Sequence, residues 1–439
     1  MDKFFKITER GSSVGTEIIG GCTTFLAMAY IIAVNPGMMV AAGMTFDAAL
    51  TATCFGAAIM TILMGLIANR PIALASGMGI NAIVAYTLCL GDLGVDWRVA
   101  MAVIFVEGVV ILILVLCGLR KAVMDAIPKS LRLAIGIGIG LFISFIGLKS
   151  GGLIAADGST YIALGDLSSP TCIVALIGIL VAIALWALKV KGALLISIVV
   201  ATLVGIPLGV TALPSEWNFG LDFSAFAAPF QTDPATSTMA IAQVFLQPAL
   251  LLFAFSLLMS DFFDTMGTAV AVAEQGDFLD EDGEVEDIQK ILIVDSCAAI
   301  AGGFVGASSI TSYVESTSGA AEGARTGLSM IVCGVLFAIF AFFAPIIGMV
   351  PGAATTGALV VVGYLMMSEV GEIDWTKIET AFPAFIIIAG IPFTYSITNG
   401  IGAGFIAYVV VMIFSGKAKE IKPLMWVSTA AFLLMFIFC

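Results

Sequence analysis

Two stretches, IALASGMGINAIVAYTL at residues 72–88 and VGASSITSYVESTSGAAEG at residues 305–323, decide the fold of this chain. Each is rich in Gly, Ala, Ser and Thr, and each is too short for an ordinary membrane-spanning helix, which needs about 20 apolar residues. Each is also the third hydrophobic segment of its half of the chain. We therefore expect interrupted segments with half-helices at matching positions of two related halves. In membrane proteins such pairs are the best sequence pointer to a binding site.

Composition places the chain in a lipid bilayer. Of its 439 residues 60% are hydrophobic and 11% are charged, and the mean hydropathy is +1.13, whereas a soluble domain is about half apolar and a quarter charged. The charged N-terminus leads directly into an apolar segment without a small-residue cleavage site, so we expect a retained first helix and no cleaved signal peptide. The apolar segments lie near residues 17–35, 48–68, 76–90, 98–118, 133–149, 171–189, 192–210, 240–273, 289–304, 309–321, 327–349, 355–368, 382–396, 399–415 and 424–439.

Several kinds of site are excluded by what the chain lacks. It contains no His, which excludes His-based catalysis, His metal ligands and His proton shuttles. Its eight Cys stand singly without a CxxC pair, as small core residues do, rather than as a metal site or a disulfide framework. With a net charge of −13 it offers no basic surface for nucleic acid. We expect no enzymatic activity, no metal and no cofactor.

The Lys and Arg residues predict the orientation. When the N-terminus is placed inside and each of the first fourteen segments crosses once, all but two of the 18 Lys and Arg residues fall inside. The two exceptions are Arg98 and Lys149. This pattern predicts a multi-pass protein of the cytoplasmic membrane with a cytoplasmic N-terminus.

The two halves of the chain match in character. IPKSLRLAIGIGIG at 127–140 and VPGAATTGALVVVG at 350–363 both place Pro after a branched apolar residue and continue as a small-residue helix. Because seven crossings is an odd number, the second half must enter the membrane inverted. We predict one repeat at 1–210 (segments 1–7), a second at 240–415 (segments 8–14), and an extra C-terminal apolar helix at 416–439.

Small residues let helices approach each other closely, and they are concentrated in the first four segments of each half. We therefore predict a packed core made of segments 1–4 and 8–11. Segments 5–7 and 12–14 are more uniformly apolar, and we call them the gate.

Acidic residues at membrane depth are the first candidates for function. Asp261 and Asp264 lie one helical turn apart in SDFFDTMGT, with Thr265 beside them. Two close carboxylates in a low dielectric cannot easily both stay ionised, and burying them in a membrane is costly. We favour a substrate-binding or proton-carrying role over a pair that neighbouring hydroxyls merely satisfy. Glu315 is expected about two turns into a half-helix that begins near Ser308, facing a polar pocket at the midplane.

Other polar and aromatic residues leave their roles open. Asn81 mirrors the position of Glu315 and offers a donor and an acceptor, although an Asn can also serve helix packing. Ser312 and Phe262 complete the substrate-binding candidates; Phe262 is suited to stacking on a flat ring or to ordinary packing. Glu107 and Asp295 either tie helices together or lie on a proton path.

Charged residues near the membrane edges are expected to be solvated, and these include Glu17 and Glu322. Arg325 is expected to anchor the inner face or to pair with Glu322. A pocket of carboxylates, an Asn and hydroxyls without Lys or Arg suits a neutral ligand with several N–H donors, such as a planar heterocycle.

Four motifs in order resemble the AzgA-like purine permeases, within the nucleobase–cation symporter family that also holds uracil, xanthine and ascorbate transporters. They are ANRPIALASGMGINA, SDFFDTMGT, SSITSYVESTSGAAEGARTG and FTYSITNGI, and the likeness covers nearly the whole chain. The resemblance implies an all-α polytopic membrane fold of fourteen segments in two inverted repeats. It also implies short extended stretches that cross before half-helices 3 and 10.

The resemblance further implies proton-coupled uptake of purine bases, with Asp261 and Glu315 binding the base and Asp264 and Asn81 in support. We expect a proton symporter for guanine or hypoxanthine that works by alternating access, with a homodimer as an option. The proton-coupling candidates are Asp261, Asp264, Glu315, Glu107 and Asp295. Adenine, xanthine or uracil remain alternative substrates. An anion exchanger or channel on the same architecture is the rival from another class.

Overall fold

The computed structural model describes residues 2–91, 93–118, 127–214, 217, 219–279 and 285–438, apart from the side chains of residues 256, 259, 260, 262, 263, 435 and 438. Within these ranges nine helices are long and apolar enough to cross a membrane, which confirms the all-α polytopic class. The helices are α1 Asp2–Phe5, α2 Val14–Met28, α3 Ile31–Ala41, α4 Phe46–Ile67, α5 Met78–Ala82, α6 Trp97–Leu116, α7 Lys129–Ser150, α8 Pro170–Ala187, α9 Ala193–Gly205, α10 Ala240–Leu246, α11 Pro248–Gln275, α12 Ile288–Val305, α13 Ser316–Ala321, α14 Leu328–Phe340, α15 Ala344–Ile347, α16 Gly352–Met367, α17 Ile378–Phe393, α18 Ile397–Phe414 and α19 Pro423–Phe438. The strands are β1 Leu74–Ser76, β2 Ile154–Asp157, β3 Tyr161–Leu164 and β4 Ile310–Ser312.

The interrupted segments are extended where the sequence predicts a break. Strand β1 pairs antiparallel with β4, and Ala75 lies opposite Thr311. The pairing continues on both sides, because the Gly77 N–H donates to the Ser309 carbonyl at 2.8 Å and the Tyr313 N–H donates to the Ala73 carbonyl at 2.9 Å. Backbone groups at membrane depth must be paired within the protein. The two strands meet this requirement by pairing with each other, as the resemblance implies.

The half-helices that follow are short. Helix α5 begins after Gly77 and continues as a π-helix over Ile83–Cys89, a form that is frequent at functional sites. Helix α13 has only six residues. Because β1 and β4 are antiparallel, the chain leaves the two strands in opposite directions to enter the half-helices.

Close approach between helices explains several glycines. In the core, a Cβ on Gly65 of α4 would lie 2.4 Å from the Gly327 carbonyl oxygen at the start of α14. In the gate, a Cβ on Gly363 of α16 would lie 2.3 Å from the Gly140 carbonyl oxygen of α7. Helices α7 and α16 correspond to the fifth segments of the two predicted repeats. Small residues bring these paired backbones into contact.

Glu17 is buried, and the expectation that it is solvated is wrong. Its side chain is fully inaccessible, and its carboxylate accepts from the backbone N–H groups of Arg325 at 2.9 Å and Thr326 at 3.3 Å. It joins α2 to the turn that precedes α14. Hydrogen bonds to a charged acceptor explain why an acid is tolerated there.

The charged side chains at the predicted inner face are also paired differently from the expectation. Glu322 forms its ion pair with Lys191, which precedes α9, at 2.5 Å. Arg325 instead pairs with Asp277 at 3.1 Å. The predicted inside residues Arg120 and Lys121 lie outside the described residues, and the orientation in the membrane stays a prediction.

Arg70, from the first of the four motifs, binds the loop that precedes α12. Its guanidinium is nearly buried and pairs with Glu286 at 2.7 Å and Asp287 at 3.0 Å, and it stacks over the Phe278 ring. Hydrogen bonds from Lys290 and from Arg70 hold the pKa of Asp287 below its usual value. This loop is therefore tied to the start of β1.

Candidate functional site

A cavity of about 1260 Å³ lies between the half-helices and the gate. Its core side is formed by α2, the starts of α5 and α13, and α11, and its gate side by α7 and α16. It opens at one end of the molecule, where Lys129, Arg132, Lys189 and Glu274 line it. The distribution of Lys and Arg predicts that this end is cytoplasmic.

Glu315 reaches the cavity from the beginning of its half-helix. It is the N-cap residue of α13, so the expectation that it lies two turns inside the helix is wrong. Its carboxylate oxygen Oε1 accepts a hydrogen bond of 2.6 Å from the Tyr30 hydroxyl. Tyr30 is itself buried, and the contact directs the carboxylate toward the cavity that Glu315 lines.

Asp261 and Asp264 both line the same cavity. Asp264 is exposed to it, whereas only 1% of the Asp261 surface is accessible. Asp261 Oδ2 accepts from the Ser309 hydroxyl at 3.3 Å, and Oδ1 has no partner among the described residues. Three predicted acids from two elements, Asp261, Asp264 and Glu315, therefore meet at one surface.

Asp295 accepts hydrogen bonds from strand β4 and helix α11 at the strand crossing, and it is not among the residues that line the cavity. Its Oδ1 accepts from the Ser312 N–H at 2.9 Å and from the Ser312 hydroxyl at 2.7 Å. Its Oδ2 accepts from the Thr265 hydroxyl at 2.7 Å, and Thr265 also contacts the Thr311 hydroxyl at 2.9 Å. Asp295 thus joins α12, β4 and α11. Ser312 and Thr265 are buried in this network and are not among the cavity-lining residues.

The remaining candidates lie away from the cavity surface. Asn81 is fully buried; its Nδ2 lies 3.5 Å from the Ser76 carbonyl, and its Oδ1 has no partner among the described residues. Glu107 is fully buried on α6. The prediction for Phe262 concerns a side chain outside those the structure describes.

Sequence reasoning missed two residues that shape the site. One is Tyr30; a tyrosine in an apolar segment needs a partner for its hydroxyl, and that need was a usable signal. The other is Asn35, whose Nδ2 donates to Thr53 Oγ1 at 2.8 Å, to Ser76 Oγ at 3.1 Å and to the Ala307 carbonyl at 3.3 Å. Asn35 therefore joins segments 1 and 2 to the end of β1 and to the turn that precedes β4.

The two sides of the cavity differ in chemistry. The core side presents the three acids, while the gate side presents apolar groups such as Ile139, Val362 and Met366. The gate also contributes Lys129, Arg132 and Glu369, so the expectation of a pocket without Lys or Arg is wrong for the cavity as a whole. Carboxylates accept hydrogen bonds from N–H groups. An apolar surface favours binding of a flat ligand, because the ring face is removed from water when it packs there. The arrangement can therefore hold a planar molecule with N–H donors on one edge.

The opposite end of the protein is closed over the half-helix. The Tyr86 ring of the π-helix packs edge-on against Tyr395, with centroids 5.9 Å apart. Tyr395 also packs against Phe142 of α7, and the Lys149 ammonium lies 4.5 Å from its ring centroid. This cluster joins the half-helix of the core to the gate.

Comparison with known proteins gives one consistent family. A sequence profile described as "Permease family" (Xan_ur_permease) matches residues 15–403. The guanine/hypoxanthine permease PbuG of Bacillus subtilis is 39% identical, with 100% of both chains covered. The adenine permease AdeP of Escherichia coli is 38% identical, covering 100% of this chain and 96% of AdeP. Among solved structures, the transmembrane domain of the cyanobacterial bicarbonate transporter BicA superposes with a TM-score of 0.65 at 15% identity, covering 89% of this chain and 97% of that one. This last likeness concerns the fold alone.

Proposed function

The chain belongs to the permease family, and from that premise we propose that it imports purine bases, guanine or hypoxanthine, by proton symport. The permease relatives and the apolar helices make it a multi-pass membrane transporter. The base, the coupled proton and the inward direction are our proposal.

The chemistry of the cavity carries the proposal. Asp261, Asp264 and Glu315 line it together, and the lining residues Lys129 and Lys191 form their ion pairs with Glu372 and Glu322. A purine base is neutral, flat and rich in N–H donors, so its edge suits the acids and its faces suit the apolar gate. A carboxylate or sulfate would be repelled by the same acids.

The transport cycle follows from the two-sided construction. A base enters when the cavity opens to the outside, and one acid of the site is protonated. Core and gate then move relative to each other, and the cavity opens at the end where Lys129 and Lys189 lie. Each proton that moves inward contributes about 2.3 kcal/mol per 100 mV of membrane potential. Alternating access between inverted repeats is the usual mode of this architecture.

Two other substrate classes are weighed against this proposal. Adenine is a real alternative, because the adenine permease relative is nearly as similar as the guanine/hypoxanthine one. An anion exchanger or channel shares the architecture, but the acids at the site argue against it. A current that does not depend on a base would favour the channel.

The outer surface of the gate carries exposed apolar side chains, as expected for a protein in a bilayer. Leu180 and Ile183 of α8 are more than half exposed, which suits contact with lipid. The same apolar surface would also serve a homodimer, which we keep as part of the proposal.

The test is uptake of labelled hypoxanthine by cells that express the chain. Unlabelled guanine, adenine, xanthine and uracil serve as competitors, with and without a protonophore. We expect uptake that guanine blocks and the protonophore abolishes. Asp261→Asn and Glu315→Gln should each lose uptake at unchanged membrane abundance. Unchanged uptake in both variants would contradict the proposed site.

A further inference from the structure

Glu107 is a buried acid whose position the proposed base site does not explain. It lies in the middle of α6 with no accessible surface, and neither carboxylate oxygen has a hydrogen-bond partner among the described residues. The ionisable groups that face it are Asp261 of α11 and Asp295 of α12. Burial of an acid at membrane depth without a donor is costly, and such residues are usually functional.

The packing around Glu107 is tight. A Cβ on the neighbouring Gly108 would lie 2.6 Å from the Ile300 backbone N. On the other side of Glu107 along α6, the Phe105 backbone N would lie 2.7 Å from a Cβ on Gly303 of α12. Helices α6 and α12 are therefore in backbone contact on both sides of the acid, and an ionised Glu107 would lack the solvation that a charge needs.

The four acids nearest the crossing strands differ in the donors they receive. Asp295 has the Ser312 N–H and the hydroxyls of Ser312 and Thr265. Glu315 has the Tyr30 hydroxyl. In contrast, Asp261 has the longer contact with the Ser309 hydroxyl and the nearby Thr311 hydroxyl, both of them neutral donors, and neither Glu107 oxygen receives a donor among the described residues. Donors stabilise the ionised form of a carboxyl group. Asp295 and Glu315 are thus equipped to remain carboxylates, whereas Asp261 and Glu107 receive too few donors for both of them to stay ionised.

We infer that Glu107 and Asp261 together hold the transported proton, with Glu107 as the inner member that the substrate never touches. This inference rests on the proposed symport. Of these two acids Asp261 lines the cavity and Glu107 does not, so Asp261 is the entry point. A hydronium ion in the cavity gives its proton to the Asp261 carboxylate, leaving water. The proton is then shared with the Glu107 carboxylate behind it, and release reverses these steps.

The assignment separates coupling from base binding. Glu315 and Asp264 bind the base, the Asp261–Glu107 pair carries the proton, and Asp295 holds the strands in place. Asp264, also within electrostatic reach of Asp261, transmits the presence of base to the pair through like-charge repulsion.

The test compares purified wild type and Glu107→Gln in proteoliposomes with the membrane potential clamped at zero. One assay measures exchange of labelled for unlabelled hypoxanthine at equal pH, which needs no net proton movement. The other measures accumulation driven by a pH difference of one unit, which supports up to about tenfold accumulation for one proton per base. We expect Glu107→Gln to keep exchange within about threefold and to accumulate nothing, giving a ratio of about one.

The control is Glu17→Gln, another fully buried core acid, but one that accepts two backbone N–H groups. It should keep the wild-type ratio of accumulation to exchange. Accumulation by Glu107→Gln would overturn the inference. Loss of exchange in a monodisperse Glu107→Gln protein would also overturn it. So would accumulation by the wild-type protein when a Na⁺ gradient drives uptake at equal pH. Wild type that neither exchanges nor accumulates hypoxanthine, guanine or adenine would instead defeat the proposed function.

A second measurement covers the case of a Glu107→Gln protein that does not fold. Infrared spectra of Glu315→Gln, prepared with and without isotope-labelled glutamate, report whether a buried glutamic acid is protonated. A carboxylic-acid carbonyl band that shifts on labelling supports the inference. Absence of such a band at every pH at which the protein is folded overturns it.

Discussion

The Tyr30 hydroxyl donates a hydrogen bond of 2.6 Å to Glu315 Oε1, joining the first segment of the chain to the tenth. Tyr30 lies between α2 and α3, and Glu315 caps α13. The bond occupies one carboxylate oxygen and leaves the other available to the cavity. The position of the acid in the site therefore depends on a residue nearly three hundred positions earlier.

Removal of this hydroxyl should weaken base binding. A hydrogen bond to a charged group contributes about 1.5–3 kcal/mol, so we expect Tyr30→Phe to raise KM for hypoxanthine roughly tenfold or more at similar protein abundance. The measurement is initial uptake over a range of hypoxanthine concentrations. Tyr364→Phe, which changes a tyrosine that is 62% exposed on the gate helix α16, is the control and should leave KM unchanged. An unchanged KM in Tyr30→Phe would mean that Glu315 is positioned without it.

Loss of the Thr265 hydroxyl should destabilise the strand crossing. Thr265→Val removes one donor to Asp295 and one contact with Thr311 at almost constant volume. Leaving a buried carboxylate oxygen without its donor costs about 1–3 kcal/mol, so the temperature of thermal unfolding in detergent should fall. Thr202→Val serves as a comparison, because the Thr202 hydroxyl bonds only to Ile198 within its own helix. Equal unfolding temperatures for the two variants would show that the Thr265 hydroxyl does not stabilise the strand crossing.

A methyl group on Gly302 should displace the strand crossing. A Cβ there would lie 2.0 Å from the Ser308 carbonyl oxygen and 2.8 Å from the Ile310 N, and both are backbone atoms that cannot rotate away. Ser308 already has a φ of +66°, a left-handed conformation that is uncommon for Ser.

We therefore expect Gly302→Ala to abolish uptake or to leave little folded protein in the membrane, measured by uptake together with fluorescence size-exclusion chromatography. Gly37→Ala, where a Cβ would meet nothing within 4 Å, should behave as wild type. Wild-type uptake by Gly302→Ala would show that the crossing tolerates a shift of that size.

A covalent link across the mouth of the cavity should stop the cycle. Lys191 of the gate and Glu322 of the core form an ion pair at 2.5 Å. With both replaced by Cys, oxidative cross-linking should block uptake, and reduction should restore it, because core and gate must separate or rotate there. The control is the pair Lys129→Cys and Glu372→Cys, which replaces an ion pair of 2.8 Å within the gate. Cross-linking that leaves uptake intact at Lys191 and Glu322 would contradict relative motion at this contact.

Much of the architecture follows from local features of the amino-acid sequence. The runs of apolar residues predicted the crossings, and the small-residue stretches at 72–88 and 305–323 predicted the interruptions that β1 and β4 now occupy. The acids of SDFFDTMGT were expected at a pocket, and both line the cavity. These features are local or periodic, because bilayer thickness and the cost of burying charge act on each segment separately.

Other features depended on how the segments are rotated and where they cross. Glu17 was expected in solvent and is buried, since its acceptor role depends on the turn before α14. The sequence predicts Glu315 inside a half-helix, whereas it is the N-cap residue of α13, because residues 310–312 remain extended to pair with β1. For Glu107 and Asp295 the sequence leaves two roles open; the donors that Asp295 receives depend on how α11, α12 and β4 pack, and the role of Glu107 stays a proposal.

The sequence by itself determined that this chain is a helical membrane protein with two broken segments and acids at membrane depth, since composition and segment length suffice for that. Only the tertiary structure decided which acids receive donors, which face the cavity and which are sealed behind it. The physical reason is that each of these contacts joins side chains from different crossings. Their partners are set by helix rotation and close backbone packing, which no single segment specifies.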